Sequence, residues 1–278
     1  MKKLRKKQKR LFKIMKTLII VCIVYLVIYI GASPYISEAS RTAALVCAYL
    51  NDFLIIANLI IVFVYYSKYG KTNAFLTRTE HEISDCGYYY TQSTPETVED
   101  YTDYLVNRFK NSGFAIQSDV ESDDFVFDYT AMKKKEFFYI VKVEELNKDD
   151  VMAYLDTAIS DIAIHNLKRA GNGVVCFITD NADDGAVSLS KMITALGKKE
   201  QLKIGIAIVE PQNSKCYFLG NMQTKMQQMI VNNIMNCDIP IPENAKFKER
   251  LPYQLELEEK MEDFTIKSYL DGSFYIHY

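Results

Sequence analysis

Asp128, Lys142 and Glu144 stand in the stretch DFVFDYTAMKKKEFFYIVKVEEL, residues 124–146, which reads as two strands rich in aromatic and β-branched residues around a basic turn at Lys133–Lys135. An acid on one strand and a lysine on the next can pair as ions, or can begin a site for a divalent cation, which takes oxygen ligands. Glu144 follows Lys142 by two residues and so shares its strand face. Glu121, Asp123 and Asp124 are close in sequence. Ile140, two residues before Lys142, is apolar and cannot bind magnesium. The residues by themselves therefore favour a structural hairpin, with an Asp128–Lys142 ion pair and a strand ending in solvated charge.

Other chemistry has less to build on. The run DNADDG at 180–185 opens like a calcium loop, but Ala182 holds its third position and Lys191 its twelfth. Its expected role is to turn the chain after a strand and cap the next helix through Asp183 or Asp184. His81, His165 and His277 are scattered, without a second ligand at zinc spacing. AGNGVV at 170–175 lacks the glycines and lysine of a phosphate-cradling loop, and no G-x-S-x-G elbow is present. The tyrosines of CGYYYTQ, residues 86–92, are expected to pack at a sheet edge. The residues imply no cofactor.

The chain that must position these groups has 278 residues, 49% of them hydrophobic, with a formal net charge of −2, which shows no general bias toward polyanions. Local charge differs. Lys2, Lys3, Arg5, Lys6, Lys7, Lys9, Arg10, Lys13 and Lys16 precede the apolar run TLIIVCIVYLVIYI with no acid among them. A signal peptide begins in the same way, but a second apolar run, Ala43–Tyr66, follows after a very short polar loop. A bilayer core takes about 20 helical residues, so the two runs are expected to form a transmembrane helical hairpin. Arg41 is the only basic residue in the loop between them, whereas Lys68, Lys71 and Arg78 follow the second run. Both termini are therefore expected in the cytoplasm, with the first basic residues on lipid headgroups of the cell membrane. Asn51, Asp52 and Asn58 interrupt the second run and predict helix packing, self-association or capture of a membrane partner. Cys86, Cys176, Cys216 and Cys237 have no paired spacing, which suits reduced thiols.

The boundaries read as a basic tail at 1–13, the hairpin at 14–66, a juxtamembrane segment at 67–94, a cytosolic mixed-sheet α/β domain at 95–238, and a C-terminal extension at 239–278 with a β-hairpin around Asp271-Gly272. Within the domain the periodicity predicts a helix capped by Ser93 or Thr94, three strands and a long helix ending at Gly171. A buried strand, a helix over GAVSLSKMITALGKK, two strands and a last helix follow. A Pro-rich break at DIPIPEN comes next.

From Pro95 to Ile178, the order helix, three-stranded meander, helix, strand resembles the restriction-endonuclease-like, or PD-(D/E)xK, nucleases. That resemblance implies a magnesium ion held by an acid on the second strand and an acid-x-Lys on the third. Such an ion activates water and stabilises charge developing on a nucleic-acid phosphate. Asp128 and Lys142 fit two of those places, Ile140 stands in the third, and Glu144 is a displaced candidate. The favoured expectation is a membrane-anchored, non-catalytic domain that binds or regulates a cytosolic partner. The alternative is a membrane-tethered, Mg2+-dependent nuclease-like enzyme acting on nucleic acid.

Overall fold

The computed structural model describes residues 1–85, 87–91, 96–122, 125–166, 171–197, 201–221, 223–237, 241 and 250–274, the side chains of 163–166 excepted. The chain divides into two compact units, one of Met1–Thr79 with Glu259–Tyr275 and the other of Glu80–Glu258.

The first unit is built on two long helices, α1 (Lys2–Ala39) and α2 (Arg41–Tyr69). Ser40 turns the chain between them in an extended conformation and accepts from the Ala43 N–H, the local signature of a helix N-cap. The helices run back on each other, with the Tyr25 hydroxyl donating to the Cys47 carbonyl at 2.9 Å. Both are long and apolar enough to cross a bilayer, and none of the most apolar 18-residue stretch of α2 is buried. Large side chains such as Val27, Ile30, Tyr49 and Phe63 lie on the outside.

The basic residues 2–10 belong to α1 rather than to a separate tail. One of them is turned inward: Arg5 is only 8% exposed. Its Nη1 donates to Gln8 Oε1 at 2.7 Å and its Nη2 to Thr77 Oγ1 at 2.9 Å. Lys2, Lys3, Lys6, Lys7, Lys9 and Arg10 stay exposed.

Thr77 lies on α3 (Asn73–Ser84), in which the first unit ends. Phe75 on the same helix packs against Phe264 and Tyr269, with ring centroids 5.5 and 4.6 Å away. The C-terminal segment departs from the expected β-hairpin. Thr265 and Ser268 form a capping box, so Ile266–Leu270 is a short helix, α9, preceded by α8 (Pro252–Lys260). Local side-chain bonds to the first turn's N–H groups outweigh the turn propensity of Asp271-Gly272. Residues 275–278, with His277, lie outside the described residues.

The second unit is a mixed eight-stranded sheet: β1 (Tyr89–Tyr90), β2 (Ala115–Ser122), β3 (Phe125–Lys133), β4 (Glu136–Leu146), β5 (Gly171–Ala182), β6 (Ile193–Leu196), β7 (Leu202–Glu210) and β8 (Lys215–Tyr217). The order is β1-β8-β7-β5-β4-β3-β2, with β6 also paired to β7. β4, β5 and β7 are parallel, and the other pairings are antiparallel. A parallel pair needs a crossover, and α5 (Lys148–Asn166) supplies it between β4 and β5.

Each central strand is buried on both faces, which is why its sequence is a continuous apolar run. Phe138 and Ile140 of β4 face one core with α4 (Val98–Asn111) and α7 (Lys225–Ile230). Phe137, Tyr139 and Val141 face the other, with α5 and α6 (Asp184–Leu189).

Two further expectations are corrected. The helix over GAVSLSKMITALGKK stops at Leu189, and Ile193–Leu196 pairs with β7 instead, since a sheet edge accepts β-branched Ile193 and Thr194 better than a helix does. α4 is capped by Thr97, whose hydroxyl accepts from Asp100 N–H at 3.1 Å. Ser93, Thr94 and Pro95 lie outside the described residues, as does most of DIPIPEN.

Candidate functional site

The β3–β4 ladder runs from Lys133↔Glu136 to Tyr129↔Ile140 and ends there. At the next position the Asp128 side chain takes over the pairing. Its Oδ2 accepts from the Lys142 backbone N–H at 2.8 Å, and its Oδ1 lies 3.6 Å from Lys142 Nζ. The carboxylate thus satisfies a backbone donor where the two strands part. Both side chains are about one-third exposed, 30% for Asp128 and 33% for Lys142.

Ile140 is wholly buried in the core beneath α4, so the position where the nuclease pattern wants an acid is a packing position here. Glu144 is exposed near the end of β4. Asp123 and Asp124 lie outside the described residues. Among the described residues no three His, Cys, Asp or Glu side chains gather to hold a metal. The nearby Tyr154 phenol has its pKa raised, by burial first and then by the charges of Asp128 and Asp150.

The carboxyl ends of the parallel strands collect further polar groups, a common place for ligands in α/β sheets. Here those groups serve one another. Glu210 accepts from Ala182 N–H at 3.3 Å and Asn213 Nδ2 at 3.1 Å, and Asp180 accepts from Gln212 at 2.8 Å. Asp183 caps α6, accepting from the Ala186 N–H at 2.6 Å.

The most heavily built polar cluster went unread in the sequence. Lys191 is completely buried. Its ammonium donates to Asp85 Oδ2 at 2.6 Å, to the Phe218 carbonyl at 2.7 Å, and to the Gly87 carbonyl. The Tyr89 hydroxyl donates to the other oxygen of Asp85, and the Lys191 nitrogen lies 5.5 Å from the Tyr89 ring centre. Gly220 makes room for that ring, because a Cβ there would fall 2.4 Å from it. Gln254 adds a donor to the carbonyls of Glu82 at 2.6 Å and Asp85 at 3.2 Å. The cluster fastens Asp85, Gly87 and Tyr89 to the β8 edge, where Tyr89 pairs with Cys216. Nothing in SLSKMIT marks Lys191 as different from a solvated lysine.

In the helical hairpin, Asn58 Nδ2 donates to its own helix at Leu54 O (2.8 Å) and approaches Leu18 O of α1 at 3.4 Å. The Oδ1 atoms of Asn51 and Asn58 are buried without a hydrogen-bond partner among the described residues. Asp52 is exposed on the α2 surface between exposed apolar neighbours.

Compared with known proteins, the chain matches no family model and no curated protein. The reading of its function therefore rests on the residues and their geometry.

Proposed function

We propose that this chain is an integral membrane protein whose α1–α2 hairpin crosses the cell membrane twice and anchors an α/β domain in the cytoplasm, where the domain binds or regulates a protein partner without catalysis. The observation that carries the anchor is the apolar surface of α1 and α2, which the chain leaves uncovered along the most apolar stretch of α2. In water that surface would associate; in lipid it is the required exterior. The cytoplasmic placement of both ends follows from the basic residues that flank the hairpin on that side. Asp52, exposed, and the part-exposed side chains of Asn51 and Asn58 then sit at the hydrocarbon surface, where polar groups call for partners from a second helix, of another copy or of a membrane partner. The expected result is that the full chain pellets with membranes, resists alkaline carbonate and needs detergent for release. Release by carbonate alone overturns the anchor.

The non-catalytic reading is supported by the work Asp128 already does. Its carboxylate caps the Lys142 N–H, Ile140 is in the core, and a lone partly exposed acid is a poor magnesium site. The nuclease-like alternative, with Mg2+ held by Asp128 and Glu144 against a nucleic-acid phosphate, requires these groups to leave their present roles. Incubation of the full chain with DNA and RNA in Mg2+ or Mn2+ is expected to give no cleavage. Cleavage lost separately in Asp128→Asn, Glu144→Gln and Lys142→Ala would establish the alternative.

A further inference from the structure

The first unit holds a cavity of about 250 Å³ at the basic end of α1, lined by Arg5, Gln8, Lys9 and Phe12 of that helix, Tyr65 of α2, and Asn73 and Thr77 of α3. From it we infer a binding site for the phosphate of an anionic phospholipid.

Two cations and no acid stand among the lining residues. Arg5 is held in place before any ligand arrives: its side chain is buried, with Nη1 bonded to Gln8 and Nη2 to Thr77. Gln8 is itself buried and fixed, donating to Asn73 Oδ1. A planar guanidinium beside a lysine ammonium is the pairing that suits phosphate oxygens, the first by a directed fork and the second as a point charge. Amide and hydroxyl groups complete a wall able to bond phosphodiester and glycerol oxygens.

The rest of the lining is aromatic. Phe12 and Tyr65 pack with ring centroids 5.5 Å apart, and Tyr65 is buried against Tyr69 at 5.8 Å. Phe12 comes just before the first apolar run and Tyr65 closes the second, so both mark the level where hydrocarbon gives way to headgroups. A ligand in this cavity would keep its phosphate among polar groups and lead its apolar chains along the exposed helices. The volume suits a headgroup rather than a large soluble cofactor. This site differs in kind from Lys2, Lys3, Lys6, Lys7 and Arg10, which are exposed and can attract any anionic surface through diffuse charge. The site rests on the membrane reading, since only that reading brings lipid to the cavity.

The test uses the full chain in detergent, with phosphatidylglycerol, phosphatidylcholine and soluble glycerol 3-phosphate as probes, read by native mass spectrometry. Phosphatidylglycerol is expected to be retained about tenfold more tightly than phosphatidylcholine. Lys9→Gln and Arg5→Gln should each lower that retention by about fivefold or more, while the tail variant Lys6→Gln/Lys7→Gln, which removes more charge, should stay within about twofold. Lys9 is exposed, so its variant remains informative if Arg5→Gln fails to fold. Equal retention of the two lipids, or equal losses in the pocket and tail variants, overturns the site. Displacement by an equal concentration of glycerol 3-phosphate reassigns it to a soluble phosphate and overturns the lipid. If the chain instead proves soluble without detergent, the membrane reading fails, and the same three probes still report whether the cavity takes phosphate.

Discussion

Lys191→Met is expected to destabilise the α/β unit severely. The substitution keeps the apolar stem of the side chain and removes the ammonium, so that the wholly buried Asp85 carboxylate loses its ion pair with Lys191 and the Gly87 and Phe218 carbonyls lose that donor. Removing one partner of a buried ion pair costs about 3–5 kcal/mol, a large part of the roughly 5–15 kcal/mol that holds an ordinary domain together. For a unit of this size each kcal/mol moves the melting temperature by about 2–4 °C, so the shift should be about 6–20 °C downward. The double variant Lys191→Met/Asp85→Asn should recover more than half of it, because the uncompensated charge is gone. Cys176 and Cys216 supply the assay. Both are fully buried in the core beneath α4, and burial pushes the Cys176 thiol up to about 12, so neither is alkylated until the sheet opens. Brief alkylation of the full chain in detergent at rising temperature, read by mass, gives the opening midpoint. A Lys191→Met shift below about 2 °C, or a double variant that merely adds the two single losses, refutes the idea that the charge pair holds this edge.

Two other perturbations separate structural from functional roles. Asp128→Ala removes both the Lys142 N–H bond and the ion pair and should cost about 1–2 kcal/mol, whereas Asp128→Asn keeps an acceptor, loses only a part-exposed pair, and should cost below about 1 kcal/mol by urea unfolding. An Asn variant as damaging as the Ala one would mean that charge, not the cap, is what matters. Replacing Asn51 and Asn58 together by Leu should weaken association of the full chain in detergent by about 0.6–2 kcal/mol, seen as a shift toward monomer in sedimentation. An unchanged distribution would leave these amides with no part in assembly.

The large elements were legible because their periodicities are strong. Two long apolar runs beside a basic end became α1 and α2, and FFYIV, VVCFI and IAIV became buried central strands, since a strand covered on both faces leaves no alternation to misread. The helix expected from Gly185 stops at Leu189, just before Lys191, whose buried ion pair, invisible in composition, anchors the chain ahead of Ile193–Leu196 in the sheet. The expected C-terminal hairpin failed because a four-residue capping box at Thr265 is a weaker pattern in sequence than Asp-Gly, yet supplies more bonds in the fold. Asp128 and Lys142 were legible as neighbours, but the cap on the Lys142 N–H was not, because it depends on where the β3–β4 ladder ends. The inward turn of Arg5 depends on Thr77, some seventy residues away, and no local spacing announces such a contact.

The anchored, cytoplasm-facing arrangement is tested most directly by cysteine labelling on intact cells. Ser37 is exposed near the α1–α2 turn and Ser112 is exposed at the end of α4, so a single cysteine at either site, in a chain lacking the native cysteines, reports its own side of the membrane. An impermeant thiol reagent should label Ser37→Cys in intact cells and Ser112→Cys only after permeabilisation. Labelling of Ser112→Cys with Ser37→Cys protected contradicts the orientation, and indifference of both sites to permeabilisation contradicts the membrane crossing itself.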